Sequence, residues 1–197
     1  IQKEIGTFVI KNANVGVFRF RSFTACNGKN YDLFLQRSFQ KIKTKKIKKL
    51  IIDLRGNTGG VMQYSLMSYF VGDNVELGRY VVEKPKKGFE TVYLKKRNGD
   101  YRRHKWMSRV QKFRIWLNDF EDGIVRTGPI DESLRYDGEI VVITDEGTFS
   151  SASMLACHLK TLSNAKIVGR PAGGSFYRGN AGTIFAVLPN SKFRLLV

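Results

Sequence analysis

The sequence predicts an α/β core of repeated strand–helix units, and three observations predict it. Three short apolar runs, at 50–54, 139–144 and 165–169, have the length and continuity of buried strands. Each is followed by turn residues, at 56–60, 145–150 and 172–175. Segments with apolar residues three and four apart alternate with these runs, as helices would.

Residues 7–10 and 15–20 alternate loosely around Asn12-Ala13-Asn14, which predicts two strands joined by a polar turn. Asp32 is placed to cap a helix whose apolar residues are Leu35, Phe39 and Ile42. That helix runs into 41–49, six lysines in nine residues, where cations suit the negative end of the dipole. The strand 50–54 follows, then the loop Gly56-Asn57-Thr58-Gly59-Gly60 at its C-terminal end. Residues 61–71 predict a helix with Met62, Leu66, Met67 and Phe70 on one face. Residues 72–130 read as an insertion into a single core domain spanning 1–197. Within it, 88–105 alternate around Asn98-Gly99, a strong hairpin signal, and a short helix carries Trp106, Phe113, Trp116, Leu117 and Phe120. The core resumes with strand 139–144 and a helix from Ser151 to Thr161, offering Met154, Leu155, Cys157, Leu159 and Leu162 for packing. Strand 165–169, loop 172–175 and a hairpin of 181–187 with 191–197 close the chain.

Of the 197 residues 42% are hydrophobic and 12% aromatic, too apolar for a disordered chain and enough for a packed core. No apolar run approaches the roughly 20 residues of a membrane span. Cys26 and Cys157 supply neither a disulfide framework nor a zinc cluster. Lys plus Arg is 34 against 17 Asp plus Glu, a net charge of +17. The excess lies in 41–49 and in 84–116, where twelve Lys/Arg face only Glu90 and Asp100. Such patches can hold phosphate backbones. The first run is all lysine, which favours a solvated surface over bidentate base recognition, so nucleic acid is not the expected partner. The chain opens on Ile1 with no methionine before Met62, and reads as a piece of a longer polypeptide.

The chemistry points to two strand ends. Ser150 follows Gly147-Thr148-Phe149 and opens the small-residue stretch Ser150-Ser151-Ala152-Ser153. A serine there is either an ordinary helix cap or a nucleophile beside unpaired N–H groups at the positive end of a dipole. Such groups stabilise charge developing on a carbonyl oxygen. The second strand end, 53–60, carries paired glycines that can turn N–H groups toward a ligand oxygen. Ligands of α/β sheets gather at strand C-termini, so the two belong at one rim.

The stretches LIIDLRGNTGG (50–60), YDGEIVVITDEGTFSSASMLACHLK (136–160) and IVGRPAGGSFYRGN (167–180) resemble the tail-specific or C-terminal processing serine peptidases. Residues 5–23 and 188–191 resemble that family too. The resemblance implies a crotonase-like core, related to that of the Clp peptidases, with the basic hairpin region inserted. It implies Ser150 as nucleophile, the N–H groups of Ser151 and of Gly59 or Gly60 as oxyanion hole, and Gly173, Gly174 and Ser175 as a substrate-binding loop. It further implies peptide or protein substrates that are extended or unfolded, no cofactor, no metal, and a bacterial protein exported to the periplasm or cell surface.

One departure bears on the base. Family members of the Ser-Lys type place a lysine 25 positions after the serine, and this chain has Ser175 there. His158, eight residues after Ser150 on one helix, is about 12 Å along the axis and out of reach. His104 falls in the basic hairpin. The form Gly173-Gly174-x-x-Tyr177-x-Gly179-Asn180 resembles the tricorn-like branch, which uses a Ser-His pair whose histidine lies upstream of this core. The resemblance therefore puts the base outside these residues, and the isolated piece need not be active. A noncatalytic relative carrying apolar ligands or peptides, lined by 106–120, is the alternative.

Overall fold

A computed structural model describes residues 6–26, 28–61, 63–80, 93–95, 101–103, 123–175, 185–187 and 194–196. The described residues fall into two compact units. The first holds everything up to residue 78 together with 125–175.

In the first unit, β1 (Thr7–Asn12) pairs antiparallel with β2 (Val15–Arg19), as the alternation around Asn12-Ala13-Asn14 predicts. Helix α1 (Gly28–Thr44) leads to β3 (Lys49–Asp53), and α2 (Tyr64–Val71) follows the glycine loop. Strand β4 (Glu76–Tyr80) leaves the core. After a 3-10 turn at Glu132–Leu134 come β8 (Glu139–Thr144), α3 (Ser151–Leu162) and β9 (Lys166–Gly169). The sheet order is β1-β2-β3-β8-β9, and β2, β3, β8 and β9 are parallel. Register pairs Arg19 with Asp53 and Asp53 with Ile143, so the strand C-termini form one level rim.

The strands β5 (Tyr93–Lys95) and β6 (Tyr101–Arg103) pair antiparallel in the second unit. So do β10 (Phe185–Val187) and β11 (Arg194–Leu196). Strand β7 (Gly123–Arg126) pairs with β4 where the chain passes between the units. Asn98-Gly99, His104 and the aromatic residues of 106–120 lie outside the described residues. Val75 N–H donates to Thr127 Oγ1 at 2.8 Å, and Thr127 N–H to Val75 O at 2.9 Å.

One core joins sheet and helices. Phe18, Leu50, Ile52 and Val142 are fully buried and meet Leu35 and Phe39 of α1, Leu66 and Met67 of α2, and Leu155 and Leu159 of α3. Phe39 stacks on Tyr69 with ring centroids 4.1 Å apart. The apolar runs predict buried strands rather than edge strands, and β3 and β8 are both interior to the sheet. Burial along them alternates: Ile51, Val141 and Ile143 are only half-buried, because the described helices share a single core with the other face. Leu162, expected to pack, is 43% exposed at the last turn of α3.

Helix α1 differs from expectation at its start. It begins at Gly28, so Asp32 lies within the helix and caps nothing there. Burial of Tyr31 adds a turn to the predicted stripe of Leu35, Phe39 and Ile42. The helix stops because Ile47 is pulled back into the core, 5% exposed. Its N–H donates to Ile42 O at 3.0 Å, and Lys46 N–H to Lys43 O at 3.1 Å. This hook holds Lys46 at φ 50°, a left-handed conformation that glycine adopts at least cost. Among the described residues no helix is long and apolar enough to cross a membrane.

Lys46→Gly relieves that conformation and should stabilise the protein by about 1 kcal/mol. Denaturant melts check this, and unchanged or reduced stability contradicts it.

Candidate active site

The two strand-end turns of β3 and β8 are hydrogen-bonded to each other. Gly56 N–H donates to Asp145 Oδ1 at 2.8 Å, and Thr148 Oγ1 donates to Leu54 O at 2.9 Å. Phe149 N–H donates to Asn57 O at 2.9 Å. Thr148 is fully buried, and its hydroxyl also accepts from Asp145 N–H at 3.0 Å. Asn57, also fully buried, sends Nδ2–H to Phe20 O at 3.0 Å, which ties the loop to β2 as well.

This lacing fixes Ser150 at the N-cap of α3. Its φ of 53° and ψ of −128° are rare for a residue with a side chain. Its hydroxyl makes no capping hydrogen bond, which removes the ordinary-cap reading, and the residue is exposed. Among the described residues the Ser150 hydroxyl has no hydrogen-bond partner.

The glycine loop lies directly against this serine. A methyl group on Gly59 would stand 2.8 Å from Ser150 Cβ and 3.0 Å from the Ser151 nitrogen. Gly59 has φ 93° and Gly60 φ 136°, both in the region that favours glycine. One N–H of the predicted pair is already committed: Gly59 N–H donates to Asn57 Oδ1 at 2.9 Å. The N–H groups of Gly60 and Ser151 have no acceptor among the described residues. Gly60 is held from behind, where Phe23 N–H donates to Gly59 O at 2.9 Å and Val61 N–H to Phe23 O at 3.1 Å.

The third predicted element also reaches Ser150. Gly174 N–H donates to Thr148 O at 3.3 Å, and a methyl group on Gly174 would stand 2.7 Å from the Ser150 nitrogen. Gly173 packs against the Glu146 carbonyl with no room for a side chain. Ser175 is exposed at the end of this loop. His158 is half-buried, and desolvation lowers its pKa, opposed only in part by a hydrogen bond with the Leu77 backbone. It thus faces a different part of the unit. Among the described residues no cluster of His, Cys, Asp or Glu could hold a metal ion.

The rim carboxylates are held below the usual range. The Arg55 guanidinium does this for buried Asp53, with Nη2 donating to Oδ2 at 2.8 Å. The Gly56 N–H does it for Asp145. Glu146 is lowered by its own backbone N–H and by Arg170 at 2.7 Å. The sequence reading missed Asn57, Asp145 and Thr148 as the ties of the site. Asp-x-x-Thr ahead of a helix, and Asn ahead of paired glycines, are the local signals for such side chain to backbone bonds.

A model of peptidase family S41 matches residues 14–180. No curated protein matches the sequence. Among solved structures, a candidate peptidase from Parabacteroides merdae is 22% identical at TM-score 0.55, with 94% of this chain covering 48% of that one. Mature CPAF complexed with lactacystin is 18% identical at TM-score 0.57, with 92% covering 42%. The photosystem II D1 C-terminal processing protease is 18% identical at TM-score 0.52, with 95% covering 40%. At these identities the likeness is one of fold. The chain spans less than half the length of each of them.

Thr148→Val keeps the shape and removes the hydroxyl, leaving Asp145 N–H without its acceptor and Leu54 O with only the Asn57 N–H at 3.0 Å. It should cost about 1–3 kcal/mol in denaturant melts, and no loss of stability contradicts the lacing. Asp53, Asp145 and Glu146 titrate lower folded than unfolded, so their stabilisation is complete above about pH 5 and lost as pH falls below about 4. Half-buried His158, which titrates lower folded than unfolded, adds a smaller loss that begins below about pH 6.5. Melting temperatures should therefore fall gently below about pH 6.5 and more steeply below about pH 5; a constant value down to pH 3 contradicts this.

Proposed function

The chain belongs to peptidase family S41, and from that premise we propose that it is the core of a serine peptidase with Ser150 as nucleophile. The observation that carries this reading is the strained, exposed and uncapped Ser150, packed against Gly59, with the N–H groups of Ser151 and Gly60 lacking an acceptor among the described residues. Ser150 Oγ attacks the scissile carbonyl carbon while its proton passes to a base. The carbonyl oxygen takes the negative charge and is held by the N–H groups of Ser151 and Gly60. Gly60 takes the place expected of either glycine, because Asn57 occupies the Gly59 N–H.

The tetrahedral species collapses to an ester on Ser150, and the proton goes to the departing amine. Water then attacks the ester, again over the same oxyanion donors, and frees the serine. The base comes from outside these residues, since Ser175 stands where a Ser-Lys peptidase has lysine and His158 faces Leu77. The loop of Gly173, Gly174 and Ser175 borders the substrate, and its lack of side chains lets an extended, unfolded polypeptide approach. The same reading takes 1–197 as one crotonase-like core with 72–130 inserted, supported by the clasp of Val75 on Thr127. Export to the periplasm or cell surface belongs to it by family resemblance.

The full-length protein should cleave an unfolded protein such as reduced casein and accept a fluorophosphonate on Ser150. Ser150→Ala should abolish both while melting as the parent does. Cleavage or labelling that survives in Ser150→Ala overturns the assignment.

A further inference from the structure

A parallel sheet has two unlike ends, and the site uses only one of them. The C-terminal ends of β2, β3 and β8 carry the rim. The opposite end gathers the strand N-termini and, because each crossover helix runs against its strands, the C-termini of α1 and α3. Strands of five residues separate the two ends by about 16 Å.

The lysines of the 41–49 run come to this opposite end. Lys45, Lys46 and Lys48 are exposed on the hook that follows α1. Lys48 and Lys49 donate their N–H groups to Asn14 O, which brings Lys11 at the end of β1 beside them. Lys160, in the last turn of α3, joins from the other crossover. Lys11, Lys45, Lys46, Lys48 and Lys160 have no ion-pair partner among the described residues. Lys49 and Lys166 share one carboxylate, Glu139, at 3.0 and 3.2 Å. With Asp137, that makes seven lysines against two acids across the breadth of the sheet.

We propose that this end is a docking surface for an anionic lipid bilayer, which it meets with the Ser150 rim facing away. Three features favour a charged surface over a built phosphate site. The charges are all lysine, flexible point charges without the planar fork that grips a phosphate or a base edge. Two helix C-termini point here, and their partial negative charge repels a closely held phosphate. Tyr136 and Ile47 at this end are buried, and the exposed Leu162 in the last turn of α3 carries no ring, so the described surface has no ring on which a nucleic-acid base could stack. Diffuse attraction to a sheet of phosphate headgroups needs none of these devices.

The surface and the proposed nucleophile are independent, so each can fail without the other. Cosedimentation of the full-length protein with vesicles of phosphatidylcholine containing 25 mol% phosphatidylglycerol tests the surface. Binding is expected to the anionic vesicles, not to pure phosphatidylcholine, and to disappear in 0.5 M NaCl. Lys45→Gln with Lys48→Gln should weaken it about 30-fold, taking about 1 kcal/mol per lysine. Lys29→Gln with Arg37→Gln, the same charge change on α1 itself, should weaken it less than threefold. Ser150→Ala should leave it unchanged. Failure to sediment with the anionic vesicles, equal losses in the two double variants, or tighter binding to a duplex DNA oligonucleotide overturns the proposal.

Discussion

The hydrogen bonds between the turns after β3 and β8 are the constraint on which the rest of the site depends. Neither turn could present chemistry alone. The 56–60 loop is mostly glycine and would be mobile without outside ties. The 145–150 turn ends in a serine whose backbone is strained. Gly56 to Asp145, Thr148 to Leu54 and Phe149 to Asn57 join them, and buried Thr148 and Asn57 make breaking those bonds costly. The strain at Ser150 is thus held by buried polar groups that have no better partners.

The sheet supplies the frame for that lacing. Because β2, β3 and β8 are parallel and in level register, their C-terminal turns are neighbours without any long loop. The same parallelism sends α1 and α3 back to the other end, each with a lysine in its last turn. A rim of backbone donors and a base of unpaired lysines are therefore two consequences of one topology. The basic charge is segregated away from the rim, where Arg55, Arg19 and Arg170 are each engaged with Asp53 or Glu146.

Much of the frame was legible in the sequence, for a physical reason. Short continuous apolar runs have few alternatives to a buried strand, so 50–54 and 139–144 sit within a residue of β3 and β8. Helix starts were less legible: Asp32 carries a cap signal, yet the buried Tyr31 one residue before it is already helical and α1 begins at Gly28. How many faces of the strands are covered was not legible, since a run of Ile and Val does not say. At the site, the identity of Ser150 and its glycine neighbours was legible as a pattern. The lacing was not, because Gly56 and Asp145 are 89 residues apart. Nor was the commitment of the Gly59 N–H to Asn57, which depends on where one side-chain oxygen lands.

The central claim is that one oxygen can sit against Ser150 and between the N–H groups of Ser151 and Gly60. A crystal structure of the full-length protein carrying a phosphonate adduct measures this directly. The account predicts phosphorus bonded to Ser150 Oγ, with one phosphonyl oxygen about 2.7–3.1 Å from both nitrogens and the Gly59 N–H still on Asn57. An adduct on another residue, or a phosphonyl oxygen turned away from both nitrogens, would contradict it.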